Sequence, residues 1–172
     1  INGDEKNTPS ISRFHRDCVE KYIAVDDTSR ISINNIDFEF RKAEHTDPNS
    51  TGIKISSQKF TVGYTSDTGY SAEIADQYRG CDIIIMNCVN PFGISQEGLL
   101  NSDDAVNMID RIKPRLAVIT HFGIKMLQAD PLHQAREIQK KTGVQVIAAK
   151  DGMSINPISY SASMKQKTLK SY

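Results

Sequence analysis

The chain has 172 residues, of which 38% are hydrophobic, and its 21 basic side chains balance 21 acidic ones. A chain of this length and apolar content can form one domain with a true core, and it is short for two. Its zero net charge gives no reason to expect nucleic acid or an anionic membrane as a partner. Tryptophan is absent and aromatic residues make up only 7%, so no stacking platform for bases stands out.

The cysteines and the first residues bear on the setting of the protein. Cys18, Cys81 and Cys88 form no CxxC pair, and an odd count without a disulfide framework predicts a reducing, cytoplasmic location. No apolar run reaches the length of a membrane span, and no signal peptide is visible. The chain opens on Ile1 rather than methionine, within a polar and turn-rich run, which we interpret as a start in mid-domain.

Alternating apolar and polar residues predict an antiparallel meander in the first part of the chain. After a short helix, the alternating runs predict strands at residues 22–25, 31–33 and 36–40. Asn34-Asn35 falls between the last two runs and predicts a tight turn. Charged residues occupy the alternate positions of the third run, which indicates a sheet with one solvated face.

The stretch FTVGYTSDTGY combines a strand end with an acidic residue. Strands are predicted at residues 52–55 and 59–65, and the second gives way to Ser-Asp-Thr-Gly before a helix predicted at 71–78. Ligands and catalytic groups collect at strand ends in open α/β sheets, which makes Asp67 a candidate site residue. The alternative, that Asp67 caps the helix or shapes the turn, is the commoner role for an aspartate considered alone.

From residue 71 onward, strands alternate with helices. Continuous apolar runs predict buried strands at residues 82–87, 115–120 and 144–148. Ser102 and Asp130 are predicted to cap two further helices, and residues 88–101 are predicted to be a long loop of functional length. Residues 156–172 contain three lysines and no acids, and they are predicted to be a loose surface tail. Residues 1–172 are therefore interpreted as a single domain.

Three side chains that can bind metals follow predicted strands. His45, Asp67 and His121 each lie at a strand end, and they converge if those ends share one edge of the fold. Two neutral imidazoles and a carboxylate suit a divalent first-row metal such as Zn, Mn or Fe. For a single histidine, a surface or hydrogen-bonded role is the commoner alternative. The other histidines, His15 and His133, are predicted to be solvated.

The order of these motifs resembles the later part of the metallo-β-lactamase superfamily. A strand ends at His45, SDTGY surrounds Asp67, VITHFG surrounds His121, and a last strand leads into VIAAKDGM. The combination is most similar to the metal-dependent hydrolases of prokaryotic type, which are relatives of tRNA-processing and phosphodiester-cleaving members. The resemblance implies a mixed α/β fold, the αββα sandwich, with a centre of one or two metals at one edge of the sheets.

The resemblance also implies a role for each candidate. His45 completes the first metal site, Asp67 bridges both metals, and His121 binds the second metal. A water molecule held by the metal is the nucleophile, and zinc is the expected metal, with manganese or iron as alternatives. Phosphodiesters are slightly favoured among the substrates of this fold. Lys125 is a candidate for contact with an anionic group, although a solvated lysine is the commoner interpretation.

One signature of the family is missing from the sequence. The motif H-x-H-x-D-H, which supplies most of the remaining metal ligands, occurs nowhere in the chain. We therefore interpret the chain as the C-terminal part of such a domain, incomplete at its N-terminal side. We expect an upstream segment that carries paired histidines and an aspartate, on the same polypeptide or on a separate chain.

Other functions and partners stay open at this point. The chain can be a non-catalytic binding or scaffold protein of the same fold, or a metal-free α/β domain that holds a small ligand at Asp67 and the THFG loop. The expected partner is a small-molecule or phosphodiester substrate, and no membrane partner is expected. Nucleic acid and a second copy of the chain are not decided by the sequence.

Overall fold

The structure, a computed structural model, describes residues 13–21 and 23–161. Within these residues, eight strands form one sheet, accompanied by α-helices and one 3-10 helix. The strands are β1 (Arg30–Ile33), β2 (Ile36–Lys42), β3 (Thr51–Ser56), β4 (Thr61–Tyr64), β5 (Ile83–Asn90), β6 (Leu100–Asn101), β7 (Leu116–Thr120) and β8 (Gln145–Ala148). The helices are α1 (Arg13–Asp17), α2 (Ala72–Asp76), α3 (Ser102–Ile112), α4 (Ile124–Gln128), α5 (Pro131–Thr142) and the 3-10 helix Pro157–Tyr160.

The sheet joins an antiparallel half to a parallel half. The strand order is β1-β2-β3-β4-β5-β7-β8, and the short β6 pairs with β5. Neighbours from β1 to β4 are antiparallel, whereas β4, β5, β7 and β8 run parallel. Parallel neighbours need a crossover connection, and α2, α3 and α5 lie in these connections. The predicted meander and the predicted alternation of strands and helices are both confirmed.

Two predictions about strands are wrong, because the existence and the length of a strand depend on tertiary partners. Residues 23–25 form no strand, and Tyr22, the first residue of that predicted strand, lies outside the described residues. β5 continues beyond Asn87 because Cys88 and Asn90 find partners on β6. The predicted long loop at residues 88–101 is therefore shortened at both ends by strand residues.

The helix ends follow local capping chemistry. The N-cap of α3 is Asn101 rather than the predicted Ser102: the Asn101 side chain accepts from Asp104 N, and the Asp104 carboxylate accepts from Asn101 N. This reciprocal pair is a capping box, which needs the acceptor one residue earlier than predicted. Asp130 caps α5 as predicted, and Gly143 ends it in the left-handed conformation at φ 71.

Helices α2, α3 and α5 cover one face of the parallel half and enclose the main core. Its strand residues include Ile84 and Met86 of β5 and Ala117 and Ile119 of β7, all fully buried. Helix α3 contributes an apolar stripe whose members are all buried in this core: Ala105, Met108, Ile109 and Ile112. The parallel half thus owes its core to a helix layer packed on a sheet.

The opposite face of the sheet has a smaller cluster, in which Ile83, Leu116 and Val118 are buried. Ile155 and Tyr160 pack against it from the C-terminal stretch. Tyr160 ends the 3-10 helix, so residues 157–160 of the segment predicted to be a loose tail are ordered against the sheet. Residues 162–172 of that segment lie outside the described part of the chain.

The described residues thus build a helix layer on one side of a mixed sheet, which corresponds to one half of an αββα arrangement. Among these residues, no helix is both long and apolar enough to cross a bilayer.

Candidate metal centre

The three predicted ligands lie past the C-terminal ends of strands that run in the same direction. His45 follows β2, Asp67 follows β4, and His121 comes directly after β7. β4 and β7 are both parallel to β5, which lies between them, and β2 and β4 are both antiparallel to β3. All three residues therefore belong to the same edge of the sheet, as the predicted convergence requires.

Hydrogen bonds join the segment of His45 to that of Asp67. The backbone N–H of Glu44 donates to Thr68 Oγ1 at 2.9 Å, and Gly69 N donates to Glu44 O at 2.7 Å. The residue before His45 is thereby fixed to the turn that carries Asp67. His45 and Asp67 consequently line one cavity of about 410 Å³.

Asp67 and His121 are in direct contact. His121 Nδ1 lies 3.3 Å from Asp67 Oδ1, and the side chains are 56% and 28% exposed. Left-handed backbone occurs at or next to both residues. His121 itself has φ 59, and Ser66, the residue before Asp67, has φ 58. Residues other than glycine adopt this conformation rarely, and such strained positions cluster at functional sites. The pair therefore has the local geometry expected of a site rather than of an ordinary turn.

His45 is oriented by the loop between β5 and β6. Its Nδ1 lies 2.8 Å from Gly98 O, and because a carbonyl oxygen only accepts, Nδ1 carries the proton in the neutral ring. Nε2 then keeps its lone pair for a metal, the usual arrangement of a metal-binding histidine. Gly98 has φ 71, and a Cβ there would lie 3.2 Å from His45 Nδ1. The close approach of this loop to His45 therefore requires glycine.

The donor atoms suit a divalent metal in type, and two of the three residues are already together. One carboxylate and two imidazoles are ligands of zinc and related metals. No group of three or more His, Cys, Asp or Glu residues that could hold a metal ion occurs within residues 13–21 and 23–161. Asp67 and His121 form a pair, and His45 lies at the same edge across the shared cavity. The assignment of each residue to a particular metal stays a prediction.

Two residues at this edge were not predicted from the sequence. Asn87, a buried residue of β5, donates from Nδ2 to Asp67 Oδ1 at 2.9 Å. Lys150 lines a cavity of about 460 Å³ together with His121. Asn87 could have been noticed in the sequence as an amide that follows a run of apolar residues. Lys150 has none, because its place depends on the pairing of β8 with β7.

The surroundings of His45 and His121 differ in charge. A cavity of about 460 Å³ beside His45 has Glu44, Glu97 and Asp104 in its lining and contains no lysine or arginine there. Burial raises the pKa of Asp104, since its carboxylate is partly removed from water. Lys150 lies instead on the side of His121. An anionic group would therefore meet less repulsion on the His121 side of the site.

The remaining candidates do not line the cavities described above. His15 and His133 are exposed, in agreement with the sequence prediction, and Lys125 is an exposed residue of α4. Cys81 and Cys88 are buried free thiols, and burial raises their pKa values to about 11 and about 12. Both therefore remain protonated at neutral pH, as expected of packing residues rather than nucleophiles.

Comparison of the sequence with known proteins gives a family and one relative. The family model described as a beta-lactamase superfamily domain matches residues 4–122. The uncharacterized protein MJ1374 of Methanocaldococcus jannaschii is 28% identical over 147 residues, which cover 84% of this chain and 54% of that protein. This chain thus spans about half the length of the curated relative that it matches.

Comparison with solved structures gives metallo-β-lactamase folds. The metallo-beta-lactamase fold protein YhfI of Bacillus subtilis matches with a TM-score of 0.69 at 20% identity, over 77% of this chain and 54% of that one. Igni18, a metallo hydrolase of Ignicoccus hospitalis, matches with a TM-score of 0.62 at 17% identity, over 77% of this chain and 59% of that one. A diphosphatase of the PhnP family matches with a TM-score of 0.58 at 15% identity, over 78% of this chain and 48% of that one. The similar structures show that this chain has the metallo-β-lactamase fold. Because the family model matches more than half of the residues of this chain, the chain belongs to the beta-lactamase superfamily.

Proposed function

We propose that this chain is part of a metal-dependent hydrolase whose metal centre includes His45, Asp67 and His121. The observation that carries the proposal is the 3.3 Å contact between Asp67 and His121 at the strand ends. Left-handed backbone at or just before each residue, and His45 across a shared cavity, add to it. The family assignment and the metallo hydrolase Igni18 among the similar structures support the same class of activity.

A bound divalent metal would polarise the scissile bond and activate a water molecule. His45 and Asp67 would contribute to metal binding in different ways. Gly98 O holds the Nδ1 proton of His45 and so keeps Nε2 as the donor atom. Asp67 supplies negative charge close to His121, which favours a cation between or beside the two side chains. Imidazole and carboxylate donors make zinc the proposed metal.

Phosphodiesters are the proposed substrate class. Lys150 shares a cavity with His121, which Asp151 also lines. A lysine there would meet a phosphate oxygen as a point charge without a strict geometric demand. The diphosphatase among the similar structures is a further phosphate-cleaving protein of this fold.

A metal-free α/β domain that binds a small ligand is the second candidate. It is favoured by the finding that the described residues contain no group of three or more ligands suited to a metal. A non-catalytic protein of the same fold would retain the geometry described above and show no turnover. Metal content and turnover together distinguish these functions. The cytoplasmic location stays a prediction.

We further propose that additional polypeptide supplies the missing ligands. The apolar face of the sheet beside the site is only partly buried by the described residues. A soluble protein seldom leaves so wide an apolar surface in water, which favours a covering segment or a second chain. A segment with paired histidines and an aspartate at this place would complete a two-metal centre.

The decisive experiment compares Asp67→Ala with the unchanged chain. The complete protein, including the additional polypeptide proposed above, is purified and loaded with Zn²⁺, its metal content is measured, and hydrolysis of bis(p-nitrophenyl) phosphate is followed. Asp67→Ala is expected to lose metal and all metal-dependent hydrolysis, because the variant lacks the carboxylate that contacts His121. The fold should persist, since Asp67 lies outside both buried clusters.

His133→Ala is the matched control, because His133 is an exposed histidine away from this edge. It should retain metal and activity. If Asp67→Ala keeps its metal and turnover and loses only about 1 kcal/mol of stability, the capping or turn role of Asp67 replaces the ligand role. A wild-type chain that binds no metal but binds a small ligand would support the second candidate.

A further inference from the structure

Asn87 occupies the central strand between the two strands that present Asp67 and His121. Its backbone pairs in register with Thr120, the residue before His121. Its backbone N–H donates to Thr65 Oγ1 at 3.4 Å, two residues before Asp67. Asn87 is only 4% exposed, although its neighbours along β5 are almost all apolar. The structure thus places a buried amide between the segments that carry two candidate ligands.

The amide of Asn87 is bound to the carboxylate of Asp67. Nδ2 donates to Asp67 Oδ1 at 2.9 Å and to Tyr64 Oη at 3.2 Å. The opposite orientation of the amide would place Asn87 Oδ1 against the Asp67 carboxylate, and two acceptors repel. Asn87 Oδ1 itself is buried without a hydrogen-bond partner in the described part of the chain.

A packing role alone does not account for this residue. A buried amide with one unsatisfied oxygen destabilises the folded state relative to an apolar side chain of the same size. The strand around it is filled by such side chains, including Ile83, Ile85 and Met86. The contribution of Asn87 therefore lies in what its amide holds, which is one oxygen of Asp67.

We infer that Asn87 is a positioning residue that sets the orientation of the Asp67 carboxylate for the metal. Asn87 and His121 both contact Oδ1, and neither of these contacts uses Oδ2. The carboxylate plane is thereby held with Oδ2 left to face a metal. Partners of this kind around a metal ligand fix its geometry, and their loss weakens metal binding. The inference rests on the proposed function, since it requires that Asp67 binds a metal.

The test measures metal binding and not turnover. The complete protein and its variants are loaded with Zn²⁺ in competition with a chelator, and Co²⁺ is used separately as a spectroscopic probe. Asn87→Leu keeps the volume but removes the donor, and its metal affinity is expected to fall by about tenfold to a hundredfold. Its Co²⁺ absorption spectrum should also change, because the carboxylate is free to rotate.

Asn87→Ala leaves room in which water can replace the lost donor, so its affinity should fall less than that of Asn87→Leu. It also serves if Asn87→Leu does not fold. Asn90→Leu is the matched control: Asn90 is 5% exposed on the same strand, but its amide donates to Gln96 Oε1. Its metal affinity and Co²⁺ spectrum should equal those of the unchanged chain, even if its stability falls.

The outcomes separate this inference from the proposed function. If the complete unchanged protein binds no metal, the proposed function fails and the positioning role fails with it. If the unchanged chain binds metal but the Asn87 variants match it in affinity and in Co²⁺ spectrum, only the positioning role is wrong. If Asn90→Leu weakens metal binding as much as Asn87→Leu, the loss reflects the disturbed strand, and the inference is likewise overturned.

Discussion

The two faces of the sheet are built differently, as two neighbouring rows of paired residues show. On the helical face, a row across the sheet consists of Glu39, Lys54, Gly63, Ile84, Ala117 and Val146. On the opposite face, the next row consists of Phe38, Ile55, Val62, Ile83, Leu116 and the exposed Gln145. The helical face is therefore apolar only in its parallel half, where the helices lie. The opposite face is apolar in both halves as far as β7.

The difference separates the well-covered part of the molecule from the part that carries the candidate site. The helical face buries its apolar residues with elements of its own chain, whereas Phe38, Ile55 and Val62 on the opposite face stay partly exposed. Asn87 belongs to this opposite face, because Ile83, Ile85 and Asn87 are spaced two residues apart along β5 and therefore lie on the same side of the sheet. The candidate metal centre thus lies at the edge of the less covered face, where a further segment would complete both the core and the site.

The largest expected effect tests the two faces directly. Ile84→Ala removes a fully buried side chain beneath the helices and should lower the free energy of unfolding by about 3–4 kcal/mol. Ile55→Ala removes a partly exposed one of the same size on the opposite face and should lower it by about 1–2 kcal/mol. Urea denaturation of both variants measures the difference. Equal losses would mean that the opposite face is covered as tightly as the helical one.

A smaller effect is expected at the edge of the less covered face. Gly98→Ala introduces backbone strain at φ 71 and a Cβ that crowds His45, so stability should fall by about 2 kcal/mol and Zn²⁺ binding should weaken. Gly93→Ala is its control in the same loop, with φ 75 and open space around a Cβ. It should lose about 1 kcal/mol from strain alone and bind Zn²⁺ normally. Thermal melting and chelator competition measure the two quantities.

If the two glycine variants lose metal affinity equally, the loop acts through its general stability and not through His45. If neither variant changes metal affinity, the orientation of His45 by Gly98 O has no bearing on the site.

The smallest effect concerns an exposed ion pair on the helical side. Arg111 of α3 binds Asp76 of α2, and with Arg79 it lowers the pKa of Asp76 to about 2. A lowered pKa in the folded state stabilises the protein above the unfolded value near 3.8, and this contribution is lost as the pH falls toward 2. Asp76→Asn should therefore lower the melting temperature slightly at pH 7 and have no effect near pH 2. The contribution is small because solvent screens exposed pairs.

Melting curves of the two proteins between pH 2 and pH 7 check this sign. A difference that grows toward low pH would contradict the assignment of the lowered pKa to Asp76.

Much of the fold could be predicted because its signals are local. Alternating apolar residues predicted β2 to β4, and continuous apolar runs predicted β5 and β7. The same reasoning placed Asp67 and His121 at strand ends, and the structure confirms those positions while leaving the metal roles as predictions. Other predictions were wrong. Residues 23–25 form no strand because they lack a neighbouring strand, and helix α3 is capped by Asn101 because the side chains of Asn101 and Asp104 form a capping box.

By itself, the sequence determined the period and the approximate extent of most elements, because both depend on residues within a few positions of one another. Only the tertiary structure decided that β5 lies between β4 and β7, since strand order is set by packing and not by neighbouring residues. That order brings Asn87 to Asp67 across 20 positions of the chain and Gly98 to His45 across 53. The contacts that orient the candidate ligands are therefore properties of the folded sheet.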